Sequence, residues 1–136
     1  SKLDASLNER LAFHGTRLDT LAAISDCGFD QRVAHPGGLY GAGTYFAEES
    51  CKSFQYCDRD GERCIVLARV VLGHAFAATG PRLGEHRPPQ LENTRLRGRV
   101  YDSVVVDPGT PTGLAAPHDI QQHREIVLFD NNQIYP

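Results

Sequence analysis

Four short stretches of this sequence hold side chains that could do chemistry. His14 and Gly15 sit together in LAFHGT at residues 11–16, and Tyr45 stands behind the hinge Gly41-x-Gly43. Ser53 and Tyr56 lie three residues apart in KSFQYC, and Glu125 opens EIVLFD. Imidazole and hydroxyl groups donate and accept hydrogen bonds, tyrosine rings stack on flat or cationic groups, and a carboxylate stabilises positive charge that develops beside it. Taken singly, each has a blander explanation. An isolated histidine is usually structural, a tyrosine usually belongs to a core, and a glutamate at a strand start usually meets solvent. Their weight as a site depends on the elements that would bring them together.

Those elements can be read in outline. Arg10–His14 alternates as a strand, with Leu11 and Phe13 on one face and Ala12 and His14 on the other. Leu18, Leu21, Ala22 and Ile24 recur at helical spacing, and Gly28 is placed to end that helix. Pro36 and the glycines at 37, 38, 41 and 43 make residues 30–44 a loop that delivers Tyr45. Glu48–Tyr56 permits a helix with Glu48 and Glu49 at its positive end and Ser53 and Tyr56 on one face. Cys64–Leu72, Tyr101–Val106 and Glu125–Asp130 read as strands, with a further short one at Gln133–Tyr135. The long polar connections at 74–99 and 107–123 argue against regular βαβ alternation, so the expected class is α+β with a largely antiparallel sheet.

A chain of 136 residues suits one domain, and the absence of methionine leads us to expect a single unit, residues 1–136, excised from a longer polypeptide. The 40% hydrophobic and 23% charged residues are globular values that exclude a disordered or fibrous chain. No apolar run is long enough to span a bilayer, so no membrane partner is expected. A net charge of −3 excludes a whole-surface attraction for nucleic acid. Residues 82–99 nevertheless carry five arginines against two glutamates, read first as a solvated loop and second as a surface for an acidic protein or RNA phosphates. Cys27, Cys51, Cys57 and Cys64 are separated by 24, 6 and 7 residues, which matches no paired zinc pattern. Reduced thiols are expected, with Cys27 and Cys64 as small core hydrophobes, no metal is expected, and a reducing intracellular site of action is favoured.

The order His14-Gly15, Gly41-x-Gly43-x-Tyr45-Phe46-Ala47, Lys52-Ser53-x-x-Tyr56 and Glu125 in REIVLFDNNQI resembles the catalytic domain of the poly(ADP-ribose) polymerase-like ADP-ribosyltransferases. The resemblance runs from about Leu11 to Ile134. It implies a split sheet with NAD, as substrate, in the cleft between the halves, and a triad of His14, Tyr45 and Glu125. It also implies that Gly15 and Ser53 hold the nicotinamide carboxamide, that Tyr45 and Tyr56 sandwich the ring, and that His14 and Thr16 bind the adenosine ribose. Phe46, Ala47 and Lys52 lie in the matching motifs and complete the implied NAD site. These residue types suit such a ligand. A carboxamide needs one donor and one acceptor, a cationic ring favours aromatic faces, and a carboxylate stabilises the oxocarbenium-like carbon left when nicotinamide departs.

Gly41 and Gly43 would let backbone approach the ligand closely. Arg17 and Arg32 are weaker candidates for the pyrophosphate. The short segment CDRDGERC at 57–64 lacks the zinc-binding insertion of the tankyrases, and Gly38 replaces an aromatic present in some members. The expected function is transfer of ADP-ribose from NAD to a macromolecular acceptor. A protein acceptor is favoured, with RNA as the acceptor if the chain is a toxin domain. Single transfer is expected over polymer formation, by a monomer. The alternative is a non-catalytic NAD- or ADP-ribose-binding module, and the presence of Glu125 speaks for the enzyme.

Overall fold

The computed structural model describes residues 2–30, 37–54, 62, 64–92 and 98–135. Seven strands are hydrogen-bonded into one sheet: β1 (Glu9–Thr16), β2 (Thr44–Ala47), β3 (Cys64–Val71), β4 (Ala75–Ala77), β5 (Ser103–Val106), β6 (Glu125–Leu128) and β7 (Ile134–Tyr135). Their order across the sheet is β4-β5-β6-β2-β1-β3-β7. Every neighbouring pair is antiparallel except β4 with β5. Two helices complete the described elements, α1 (Leu18–Cys27) and α2 (Ser50–Ser53), together with single 3-10 turns at Ala5–Leu7 and Asn131–Gln133. The α+β class and the largely antiparallel sheet are as read from the sequence.

The sheet is weakest where β1 meets β2. Eight residue pairs join β1 to β3 and four join β2 to β6, whereas β1 and β2 share one registered pair, Phe13 with Ala47. This junction divides the sheet into a β4-β5-β6-β2 half and a β1-β3-β7 half. Apolar packing runs on both faces of the inner strands. All four residues of β2 and all four of β6 are buried, so neither shows the alternation that one solvated face would impose. Phe46, Ile126 and Leu128 face a core shared with Ala12, Phe29 and Val70, while Tyr45 and Val127 face a second core with Tyr40, Val104 and Val106.

The local chemistry explains most boundaries. Gly28 ends α1 with φ +75°, and its N–H returns to the Ile24 carbonyl at 2.8 Å. The helix buries Ile24 alone and leaves Leu18 exposed, so its apolar spacing serves a narrow contact. The second helix starts later than expected, at Ser50, because Glu49 takes an extended conformation as its N-cap; residues 55–56 of the expected helix lie outside the described residues. The first expected strand extends to Glu9 and Thr16, whereas β5 begins at Ser103 and β6 ends at Leu128, both shorter than the apolar runs that signalled them. Two strands were not expected. β2 is four residues between a glycine-rich loop and a turn, and β4 is three residues within a polar connection, both too short to show a period. Among the described residues no helix is long and apolar enough to cross a membrane.

The described cysteines Cys27, Cys51 and Cys64 are free thiols, with Cys27 exposed instead of buried in the core. Arg82 departs from the expected solvated loop: it is half-buried with its guanidinium 5.2 Å from the centre of the Phe76 ring.

Candidate active site

Strand register brings the dispersed motifs to the β1–β2–β6 junction. Phe13 stands opposite Ala47, and Ala47 stands opposite Glu125, so one row crosses all three strands. His14 follows Phe13 directly, and Tyr45 lies two residues before Ala47.

His14 Nδ1 lies 2.8 Å from the backbone carbonyl oxygen of Tyr45. A carbonyl can only accept, so the proton sits on Nδ1, and the neutral ring keeps a lone pair on Nε2. The imidazole is packed edge-on against Phe29, with ring centres 5.2 Å apart, and tilted against Phe46 at 5.4 Å. Burial lowers the His14 pKa from its ordinary 6.5, opposed in part by the bond to Tyr45. A base whose folded pKa lies below its unfolded value contributes stability above pH 6.5 and loses it as the pH falls toward the folded pKa. The melting temperature of His14→Asn is therefore expected to fall less steeply than that of the wild type below pH 6.5, a comparison made by thermal melts across pH 5–8.

Tyr45 is 8% exposed, and its hydroxyl is engaged twice within the loop that precedes it. It accepts from the Tyr40 N–H at 2.9 Å and donates to the Gly41 carbonyl at 2.7 Å. Burial raises its pKa, with the Glu125 charge a smaller contribution in the same direction, so it remains a neutral phenol.

Glu125 is a carboxylate at 3% exposure, and its two oxygens meet different partners. Lys52 Nζ lies 3.6 Å from Oε1, and Gln121 Nε2 donates to Oε2 at 3.1 Å. Gln121 also donates to the His123 carbonyl at 2.7 Å and accepts the Tyr40 hydroxyl at 2.9 Å. The orientation of that amide is thereby fixed, because its nitrogen faces two acceptors and its oxygen faces a hydroxyl proton. Tyr40 is fully buried. Burial and the nearby Glu125 charge push its pKa up to about 12, which keeps its proton in place. Tyr40 thus joins the two halves of the site, since its backbone holds the Tyr45 hydroxyl and its side chain holds Gln121 against Glu125. Tyr40→Phe is expected to cost about 1–3 kcal/mol by orphaning the Gln121 oxygen in a buried position. It should lower the melting temperature by several degrees and depress turnover more than NAD binding.

The remaining expected residues fall in varied places. Gly15 and Thr16 are buried at the end of β1, opposite Ile65 and Cys64. Ser53 is buried on α2, and its hydroxyl donates to the Phe13 carbonyl at 2.7 Å, so that proton is used to tie α2 to β1. Lys52 is half-buried beside Glu125. Phe46 turns to the face opposite Tyr45. At 1% exposure it supports the His14 ring from within the core, and Ala47 is nearly as buried. Arg17 is exposed and paired with Asp19 at 2.6 Å. Tyr56 and Arg32 lie outside the described residues.

Gly41 and Gly43, expected to admit a ligand, are required by the protein itself. A Cβ on Gly41 would stand 2.9 Å from the Phe129 ring, and one on Gly43 would stand 2.6 Å from Val127 Cγ1 and 2.7 Å from the Leu128 carbonyl. Phe29, Tyr40 and Gln121 were missed in the sequence, where an aromatic in a loop and a glutamine in a polar connection give no periodic signal.

Comparison with known proteins identifies the family. The family described as poly(ADP-ribose) polymerase catalytic domain matches residues 1–136, the whole chain. The chain is 29% identical over 153 residues to the protein mono-ADP-ribosyltransferase PARP11 of Mus musculus, covering 96% of this chain and 41% of that protein. It is 32% identical over 132 residues to the protein mono-ADP-ribosyltransferase PARP12 of Mus musculus, covering 96% and 16%. It is 30% identical over 132 residues to the putative poly [ADP-ribose] polymerase-like 100L of Invertebrate iridescent virus 6, covering 94% and 67%. The chain therefore spans less than half the length of the two mouse relatives. With the match extending over every residue, the chain belongs to the poly(ADP-ribose) polymerase catalytic domain family.

Proposed function

We propose that this domain transfers a single ADP-ribose unit from NAD to a macromolecular acceptor, with release of nicotinamide. The observation that carries the proposal is Glu125: a buried carboxylate, in register with Ala47 two residues from Tyr45, flanked by a lysine and oriented by a side-chain amide. Little else in a fold of this size favours burying a carboxylate unless it has work there, because the desolvation cost is several kcal/mol.

In this reading NAD lies along the β1–β2 junction. His14 Nε2 accepts from an adenosine ribose hydroxyl, helped by Thr16, while Gly15 and Ser53 recognise the nicotinamide carboxamide. Tyr45 offers one aromatic face to the nicotinamide ring, and Tyr56 the other. Glu125 accepts from the nicotinamide ribose hydroxyls and stabilises the positive charge that builds at the anomeric carbon as the glycosidic bond breaks. The same carboxylate then orients the incoming nucleophile and takes its proton. Lys52 balances the carboxylate before NAD arrives. The mouse relatives are named as protein mono-ADP-ribosyltransferases, which supports single transfer to a protein acceptor. We expect a monomer to be sufficient, since every proposed group comes from one chain.

The test is nicotinamide release by the purified domain, together with labelled NAD in a cell lysate followed by separate protease and nuclease digestion. Label removed by protease, as single units, supports the reading. NAD binding without any nicotinamide release would replace it with a binding module.

A further inference from the structure

A second cluster of chemical groups lies beside the candidate active site and plays no part in the proposed transfer. Glu49 caps α2, Cys51 is the second residue of that helix, and His123 lies two residues before Glu125. His123 Nδ1 is 3.3 Å from Glu49 Oε2, Cys51 Sγ is 3.8 Å from the same oxygen, and Cys51 Sγ is 3.9 Å from His123 Nε2. Taking one donor atom from each residue, all three lie within 4.8 Å of one another.

Zinc bonds of about 2.3 Å to sulfur and about 2.0–2.2 Å to nitrogen or oxygen, arranged tetrahedrally, place donor atoms roughly 3.3–3.6 Å apart. The 3.3 Å and 3.9 Å contacts use different nitrogens of His123, of which a metal takes one; with a single nitrogen the three donors lie within 4.8 Å of one another, and Glu49 and Cys51 are exposed, so side-chain rotation closes the remaining gap. A thiolate, a carboxylate and a neutral imidazole also supply the charge and the mixed S/N/O donor set that suit zinc, in contrast to the all-oxygen sets of magnesium or calcium. The cations next in sequence do not compete for the cluster. Lys52 is directed to Glu125, and Arg124 binds Asp107 at 2.7 Å and Glu48 at 3.2 Å.

We propose that Glu49, Cys51 and His123 form a three-ligand zinc site with an open fourth position, clamping α2 to the segment that leads into β6. The site goes beyond the transfer reading and stands independently of it. Its donors, 72 positions apart in Cys51 and His123, also explain why the cysteine spacings alone gave no metal pattern.

The test uses chelator-stripped full chain and does not depend on NAD. Zinc titrated against a competing chelator is expected to bind at one equivalent with micromolar affinity or tighter, and to raise the melting temperature. Cys51→Ser and His123→Ala should each weaken binding at least tenfold, whereas a Cys27→Ser/Cys57→Ser/Cys64→Ser chain should bind as the wild type does. Cobalt in place of zinc should give a thiolate-to-metal absorption in the near ultraviolet that is absent from Cys51→Ser. Lack of stoichiometric zinc binding would overturn the proposal. So would binding that persists unchanged in Cys51→Ser, or binding that is lost in the triple cysteine variant.

Discussion

Replacing Glu125 by glutamine is expected to reduce nicotinamide release by about 10²–10⁴-fold, the range for losing both an electrostatic stabiliser and a general base. The substitution keeps volume and planar shape, so the packing of β6 between β5 and β2 is undisturbed. The new amide can present its oxygen to Gln121 Nε2, which preserves the 3.1 Å bond to that partner. What is lost is the negative charge. In a site this buried, a full charge acts on a developing cation with little screening, so its removal affects the transition state more than bound NAD. The dissociation constant for NAD should therefore change by no more than a few-fold, while the amide nitrogen that now faces Lys52 Nζ in place of the 3.6 Å ion pair should lower the melting temperature by several degrees. Steady-state nicotinamide release, NAD binding by calorimetry and thermal melting make the comparison. Activity within tenfold of the wild type would remove Glu125 from the mechanism, and a collapse of NAD affinity would show that the charge serves binding instead.

The sequence makes the long strands and the ends of the site legible, and it does so for reasons that can be named. β3, β5 and β6 are rich in valine, isoleucine and leucine, and β1 sets Leu11 and Phe13 against Ala12 and His14 in strand alternation, so local preference and final structure agree. The glycine at 28 announces its own cap. The segments that fail are those whose character comes only from partners. β2 is recognisable as a strand once β6 pairs along its length and β1 touches its end. Tyr40 and Gln121 acquire their roles through contacts across 81 positions of sequence, which no window along the chain can contain. Phe46 shows the reverse case: its place in the motif suggested the ligand, but alternation along β2 sends it behind His14 while Tyr45 faces the other way. Strand parity therefore sends neighbouring residues of one motif to opposite faces of the sheet, a division that spacing alone leaves open.

Gly38→Ala is expected to be among the most destabilising single-methyl substitutions in the domain, by on the order of 2–5 kcal/mol, combining overpacking with lost buried hydrogen bonds. A Cβ at position 38 would collide with the Tyr45 hydroxyl oxygen and would stand 2.6 Å from both Tyr45 Cζ and the Gly41 carbonyl. Neither neighbour can easily withdraw. The Tyr45 ring is held in the second core, and its hydroxyl is bonded to the Tyr40 N–H and the Gly41 carbonyl, so yielding space to the methyl group breaks both bonds. On a domain whose total stability is about 5–15 kcal/mol, such a loss should be plain in urea melts. Gly80→Ala provides the contrast, because nothing lies within 4 Å of a Cβ there, and its effect should stay within about 0.5 kcal/mol. A double-mutant cycle identifies the cause. In a Tyr45→Phe background the hydroxyl is gone, so Gly38→Ala should cost at least about 1 kcal/mol less than in the wild type, with the Cζ contact retaining part of the penalty. Strict additivity, or a Gly38→Ala protein as stable as the wild type, would refute the steric account. The space beside residue 38 is already occupied by the hydroxyl of Tyr45, so no side chain fits there until that tyrosine moves.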